Sequence, residues 1–189
     1  MPFGSNVIPE NYGVAIVGGK GAGQTRRVVR YAARALTVDR PWDSVPDNTS
    51  RYATFVWGLE RSLIKNNRLS QNPRGIWLYN TSVRDVDIVG NTVTEGGGIY
   101  LRSFQSLKDK LFTPIYGVRI AHNTISNATR EWTSYIHVAF VRADVADFGL
   151  ATIGVDVNNN MVRGNAQRCA REGLGCCRRP QRSGGHCAG

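Results

Sequence analysis

Two aspartates and one arginine recur at the same place in a repeated segment. Asp87, Arg119 and Asp156 each stand four residues before an asparagine, and an apolar residue follows each of them. Carboxylates grouped with a basic side chain can abstract a proton, act as general acid and base, or bind calcium. The same alternation of charge also suits an ion-pair ladder on a protein surface. The arginine between the two aspartates favours the ladder, and a catalytic trio is the alternative.

Aromatic residues recur at a second position. Trp77, Tyr100 and His137 each lie in a short segment in which alternate residues are apolar. If these segments are stacked strands, the three rings form one row on an outer face. A row of aromatic rings on a flat surface can stack on successive sugar rings. The alternative is that neighbouring loops fold over the row and bury it.

Positive charge follows the second of these aromatic segments. The stretch 102–117 contains Arg102, Lys108 and Lys110 together with several aromatic residues. We expect a long loop at the edge of the aromatic row, where its charge would suit an acidic glycan. A second long loop, 139–154, is expected at the same corner of the next repeat. The three basic residues and the aromatic row are therefore the predicted substrate-binding residues.

A repeat centred on asparagine must position all of these side chains. An apolar residue stands three positions before each asparagine and another stands two positions after it, and three of the four copies carry a further valine five positions before the asparagine. This pattern predicts a strand, a sharp bend at the asparagine, and a second short strand. Asparagine suits a bend because it tolerates the left-handed region and can bond to nearby backbone. Stacked at strand spacing, the side-chain amides can form a ladder from coil to coil. The four ladder residues are Asn67, Asn91, Asn123 and Asn160.

The spacing of the asparagines predicts the architecture. They are 24, 32 and 37 residues apart. A basic coil of about 24 residues has room for three short strands, and the extra residues fit in loops. The sequence thus predicts an all-β chain that forms a right-handed parallel β-helix of about four coils. The expected domains are an N-terminal β-rich cap at 1–57, the β-helix at 58–165, and a disordered Arg/Gly/Cys-rich tail at 166–189.

The net charge of +10 raises the question of a nucleic-acid partner. Nearly half of the excess lies in residues 166–189, and the other basic residues are scattered among acidic ones. A protein that follows a phosphate backbone needs its Lys and Arg on one patch or stripe. We therefore expect no nucleic-acid partner. No apolar run approaches the roughly 18 residues of a membrane span, so none is expected.

The cysteines raise the question of a metal site. All four lie in the predicted tail, close to His186, but no CxxC pair exists and two of them are adjacent. Adjacent cysteines are poor ligands for tetrahedral zinc, so we expect no metal and no resident cofactor. The N-terminus lacks the features of a secretory signal, and no cap follows Asn165. Both features lead us to expect a fragment of a longer chain, or export by another route.

The four asparagine-centred coils resemble the repeats of right-handed parallel β-helix proteins of the pectate-lyase-like superfamily. The segments 21–27, 38–42 and 46–52 are similar to a region that precedes the coils in some bacterial members. The resemblance implies an extracellular or cell-surface domain that binds a polysaccharide. It also implies possible cleavage by a lyase, with calcium as cofactor, or by a glycoside hydrolase. Because the fold also hosts tailspikes and adhesins, a non-catalytic structural or adhesive segment of a phage tail or cell envelope is the alternative.

Overall fold

The structure is a computed structural model that describes residues 8–32, 35–127, 135–142 and 149–164. Every regular element in these ranges is a β-strand. The prediction of an all-β chain is therefore confirmed. The predicted tail at 166–189, with all four cysteines, lies outside the described residues.

The strands are short, apart from one that spans 15 residues. In chain order they are β1 (Tyr12–Gly18), β2 (Thr25–Ala32), β3 (Ala35–Val38), β4 (Arg51–Lys65), β5 (Arg68–Ser70), β6 (Ile76–Tyr79), β7 (Ser82–Val89), β8 (Thr92–Thr94), β9 (Ile99–Ser106), β10 (Leu111–Thr113), β11 (Ile115–Ala121), β12 (Thr124–Asn127), β13 (Ile136–Arg142), β14 (Thr152–Asn158) and β15 (Met161–Gly164).

Corresponding strands of successive sequence repeats pair with one another. We number the repeats one to four: β4–β6, β7–β9, β11–β13, and β14 with β15. In the first sheet β4, β7, β11 and β14 are parallel neighbours. The second sheet joins β5, β8, β12 and β15 in parallel, and the third joins β6, β9 and β13. Each repeat therefore adds one strand to each sheet, except that the described part of the fourth adds none to the third.

The first sheet is mixed, because strands from the N-terminal region extend it. β1 pairs antiparallel with β4, β2 with β1, and β3 with β2. β4 runs without interruption through residue 57, where the sequence predicted a domain boundary. The N-terminal region and the repeats therefore share one strand, whose pairing with β7 shifts register between Trp57 and Leu59.

The main core lies between the three sheets. It is built from the alternating apolar residues of the repeats, and its centre includes Ile88, Leu101, Ile120 and Ile125, all 0% exposed. Burying a side chain of this size stabilises the fold by roughly 1.5–3 kcal/mol. The period-two pattern therefore places its apolar residues inside, and the residues between them point outward.

The repeated asparagines form a hydrogen-bonded ladder along one corner of the core. Nδ2 of Asn67 donates to Oδ1 of Asn91, Nδ2 of Asn91 to Oδ1 of Asn123, and Nδ2 of Asn123 to Oδ1 of Asn160, each at 2.9 Å. The backbone N–H of the same donor residue bonds to the same oxygen. Buried amides require partners of this kind, and here each repeat supplies them to the next.

The bend itself lies one residue before the predicted position. Asn66, His122 and Asn159 have φ angles of 58°, 56° and 50°, and Gly90 has 67°. These residues take the left-handed conformation, and the asparagine that follows each one turns its side chain into the ladder. The prediction of a bend at the ladder asparagine was therefore wrong by one residue, since the bend lies at the residue before it.

A second left-handed position divides the strands of the first sheet. Asp85 has a φ of 54°, and Arg61, Gly117 and Gly154 occupy the equivalent place in the other repeats at 47°, 62° and 63°. Val83 and Val86 are three residues apart, yet both are buried in the main core. The left-handed residue shifts the alternation by one, which a strict period of two does not anticipate.

The loop expected at 102–117 is largely strand. β9 continues to Ser106, and a tight turn returns the chain through β10, which pairs antiparallel with β9. Phe112 and Tyr116 then join a second core with Phe55 and Trp57. The loop expected at 139–154 likewise begins late, because β13 continues to residue 142. Parallel pairing with β9 extends that strand beyond its apolar segment.

Candidate functional site

The outer face of the third sheet carries the aromatic row. Parallel pairing aligns Trp77 and His137 with Tyr100, which lies on the strand between theirs. The ring centroids of Trp77 and Tyr100 are 5.3 Å apart, and those of Tyr100 and His137 are also 5.3 Å apart. Three residues from three separate repeats thus form one continuous row. The register of the strands is sufficient to place them together.

The row is only partly open to solvent. Tyr100 is 3% exposed, whereas Trp77 and His137 are half-buried. Burial raises the pKa of the Tyr100 hydroxyl above its ordinary value. Tyr100 therefore offers no open ring face for stacking and serves as the floor of the row. Tyr79, with 40% of its surface exposed and its ring 6.2 Å from that of Tyr100, supplies the accessible aromatic surface.

Arg102 lies between aromatic rings on the same face. Its guanidinium carbon is 4.5 Å from the ring centroid of Tyr79 and 5.3 Å from that of Phe104. The group also hydrogen-bonds the side chain of Tyr100. Its Nε is buried without a hydrogen-bond partner, and no carboxylate of the described residues forms an ion pair with it. Arg102 is therefore a fixed cation whose charge is not neutralised within the described part of the chain.

A second cation extends the same arrangement. The guanidinium of Arg74 lies 5.4 Å from the ring centroid of Trp77. Arg74 and Tyr79 were not among the predicted site residues, and Phe104 was expected only as one of the aromatic residues of the loop at the edge of the row. Tyr79 could have been found from the sequence, because it stands two residues from Trp77 and so shares its face of the strand.

The remaining predicted basic residues lie farther along the hairpin. Lys108 and Lys110 are exposed in the turn between β9 and β10. Lys110 has a φ of 51°, and its N–H bonds to the carbonyl of Leu107 at 3.1 Å. Asp109, between the two lysines, bonds to the hydroxyl of Ser106 at 2.8 Å. The turn therefore adds positive charge beyond the end of β9, at a distance from the aromatic row.

The charged column lies on the outer face of the first sheet. Arg119 is aligned with Asp87 on one side and Asp156 on the other. Nε of Arg119 donates to Oδ1 of Asp87 at 2.8 Å, with their side chains 50% and 45% exposed. The hydrogen bond to Asp87, and after it the charges of both aspartates, raises the pKa of Arg119. Asp156 accepts a hydrogen bond from Nδ2 of Asn158 at 2.5 Å.

This geometry limits what the charged column can do. The two aspartates lie on strands either side of Arg119, so about 9.6 Å of sheet separates them. Asp87 is neutralised by its ion pair with Arg119, and about half of each side chain is exposed to solvent. Among the described side chains, no set of three or more His, Cys, Asp or Glu is arranged to hold a metal ion. The column has the geometry of an exposed ion-pair ladder.

Comparisons of this chain with protein-family models, curated proteins and solved structures found no match. The pectate-lyase-like resemblance therefore depends on the sequence repeats, and any function must be argued from the geometry of the outer faces. Within the described ranges, no helix is long and apolar enough to cross a membrane.

Proposed function

We propose that this chain is a right-handed parallel β-helix of the pectate-lyase-like type that binds an acidic polysaccharide on the outer face of its third sheet. The β-helix is supported by the in-register parallel pairing of successive repeats in three sheets. The right hand follows from the general rule that about 98% of parallel crossover connections are right-handed. A location outside the cell or on its surface is part of this proposal, because acidic polysaccharides of this kind are met there.

The clamped guanidinium of Arg102 is the observation that carries the binding proposal. A planar guanidinium can bind a carboxylate through two parallel hydrogen bonds. The rings of Tyr79 and Phe104 hold the group in place, so less side-chain freedom is lost on binding. Beside it, Trp77 and Tyr79 supply the aromatic surface on which the apolar face of a sugar ring can pack. A chain of sugars that carry carboxylates satisfies both parts of the site.

Cleavage of the polysaccharide is less well supported than binding. General acid–base chemistry needs groups that converge on one bond, with pKa values suited to proton transfer. Asp87 is held by Arg119, and Asp156 lies on the far side of that arginine. The proposed activity is therefore recognition without catalysis.

A structural or adhesive role is the second candidate. The last described repeat exposes Val157, Met161 and Val162, each more than 40% accessible. Apolar residues exposed together at the end of a stack suit contact with further protein. A tail-fibre or cell-envelope segment would use that contact for assembly.

The binding proposal can be tested with a glycan array followed by titration calorimetry on the best ligand. Arg102→Gln should weaken binding by about tenfold or more, because a charge-assisted pair is lost. Arg68→Gln is the matched control, since Arg68 is exposed on β5 in the second sheet. Affinity for an acidic glycan should also fall as salt increases. Absence of binding to every glycan, or equal losses in the two variants, would contradict the proposal.

A further inference from the structure

Three N-terminal strands and one loop border an open cavity of about 230 Å³ that the proposed function does not use. It lies on the opposite side of β1 from the second core, because Val14 and Ile16 line it while Ala15 and Val17 belong to that core. The lining side chains come from three strands and one loop. They are Val14, Ile16, Leu36, Val38, Trp42 and Tyr52.

The backbone on both sides of the tryptophan that lines the cavity is held by hydrogen bonds with polar side chains. The guanidinium of Arg26, a residue that is 4% exposed, lies 5.0 Å from the ring of Trp42 and donates from Nε to the carbonyl of Pro41. After Trp42 in the chain, Oε1 of Gln24 accepts hydrogen bonds from the backbone N–H groups of Asp43 and Ser44, at 2.8 and 3.0 Å. A ligand would therefore meet a wall that is already ordered, which lowers the entropic cost of binding.

The second aromatic residue of the cavity is open to solvent. Tyr52 is 65% exposed, although it is aligned with Ile16, which is 4% exposed. Tyr52 shares the cavity with Leu36, Val38 and Trp42, which are only partly buried. A contiguous apolar patch of this kind is typical of a surface that contacts another molecule. The cavity can thus be entered from the side of Tyr52.

An edge strand borders the cavity. Among the described strands, β3 pairs only with β2, and Leu36 and Val38 of β3 line the cavity. An edge strand presents backbone N–H and C=O groups to a further extended chain. Strand addition of this kind is a common mode of peptide recognition. Alternate side chains of the added strand would point to the face of Leu36 and Val38.

Positive charge near this edge strand favours acidic residues in a bound peptide. Arg30 is exposed and aligned with Thr37, so it shares the face opposite to the cavity. The Arg40 side chain, just beyond the end of β3, is 63% exposed, but its guanidinium lies 3.9 Å from the carboxylate of Asp39, so Arg30 is the cation that carries the charge argument. We propose that the edge of β3 and the cavity together bind an extended peptide segment of a partner protein. That segment places one large apolar side chain in the cavity and acidic residues on the opposite face.

The test titrates the full chain with the synthetic peptide acetyl-Thr-Glu-Phe-Glu-Thr-amide and measures binding by calorimetry. Saturable binding is expected, and replacing the phenylalanine with serine should abolish it. Tyr52→Ala should weaken binding by about tenfold or more, as expected for an aromatic contact residue. Tyr79→Ala is the matched control, since Tyr79 is an exposed tyrosine of the third sheet, and it should leave peptide affinity unchanged.

Two outcomes would overturn this inference. One is no saturation at millimolar peptide, and the other is an equal loss of affinity in the two tyrosine variants. Loss of polysaccharide binding in Tyr52→Ala would instead assign the cavity to the sugar. Because Arg102→Gln should leave peptide binding intact, failure of the glycan proposal is distinguishable from failure of this one.

Discussion

Arg119 donates a hydrogen bond from Nε to Oδ1 of Asp87 at 2.8 Å, which joins the third repeat to the second. Asp156 is aligned with the same arginine on the fourth repeat. In this column the carboxylate of Asp87, which could have served as a catalytic base, is therefore held in an exposed ion pair with Arg119. An aspartate paired in this way is poorly suited to take a proton from a substrate.

Asp87→Asn should retain polysaccharide binding and should change the urea midpoint of unfolding only slightly. Exposed ion pairs contribute little to stability, because water and salt screen them. Product analysis by mass spectrometry should find no cleavage by either protein. If the parent chain released products and Asp87→Asn did not, the catalytic interpretation would replace the ladder.

Asn123→Ala should lower the free energy of unfolding by about 3 kcal/mol or more, since each buried polar group left without a partner costs roughly 1–3 kcal/mol. The substitution removes the acceptor for two N–H groups of Asn91 and the donor to the carbonyl of Ile88. Asn67→Ala is the control, because Asn67 is exposed at the start of the ladder and should cost about 1 kcal/mol or less. Urea denaturation of the two variants gives the comparison. Equal losses would mean that burial of the ladder contributes nothing.

Substituting two glycines by alanine distinguishes the loss of stability caused by a close contact from the loss caused by the left-handed backbone. A Cβ on Gly75, where φ is 64°, would lie 2.2 Å from the carbonyl oxygens of both Gly97 and Gly98. A Cβ on Gly154, where φ is 63°, would meet nothing closer than 3.6 Å. Gly154→Ala should therefore cost about 1–2 kcal/mol, and Gly75→Ala about 3 kcal/mol or more. Thermal unfolding monitored by circular dichroism ranks them, and the reverse order would be inconsistent with this packing.

Tyr116→Phe should alter the stability at alkaline pH. The hydroxyl of Tyr116 donates to the carbonyl of Leu150 at 2.5 Å, and burial raises its pKa far above the ordinary value. The unfolded chain loses this proton near pH 10 while the folded chain keeps it, so the stabilising contribution is complete below about pH 10 and is lost as the pH rises further.

The variant should be less stable at neutral pH by roughly 0.5–1.5 kcal/mol, for the lost hydrogen bond. Above pH 10 its stability should fall less steeply than that of the parent chain. Urea unfolding from pH 7 to 11 measures both effects. Tyr52→Phe is the control, because that ring is exposed. A parallel pH dependence in parent and Tyr116→Phe would exclude Tyr116 as the source.

Spacing alone was enough to align the repeats. Alternation of apolar residues places Ile88 and Ile120 in the core, and the constant distance to the next asparagine aligns Asp87 with Arg119. Strand register follows from such a pattern because a slip by one residue would turn every apolar side chain outward. The ladder and the charged column follow from the same alignment, and the aromatic row follows from the apolar alternation of its own three segments.

The sequence by itself determined which residues are neighbours across repeats, because pairing in register depends on a periodic pattern that can be read locally. Only the tertiary structure decided what surrounds those neighbours. It buried Tyr100, left Tyr79 accessible, and clamped Arg102 between two rings. It also extended β9 into a hairpin where the sequence predicted a loop. The burial of Tyr100 and the position of Arg102 depend on side chains from other strands and from non-repeating segments. A periodic pattern in the sequence does not show which of these side chains come into contact.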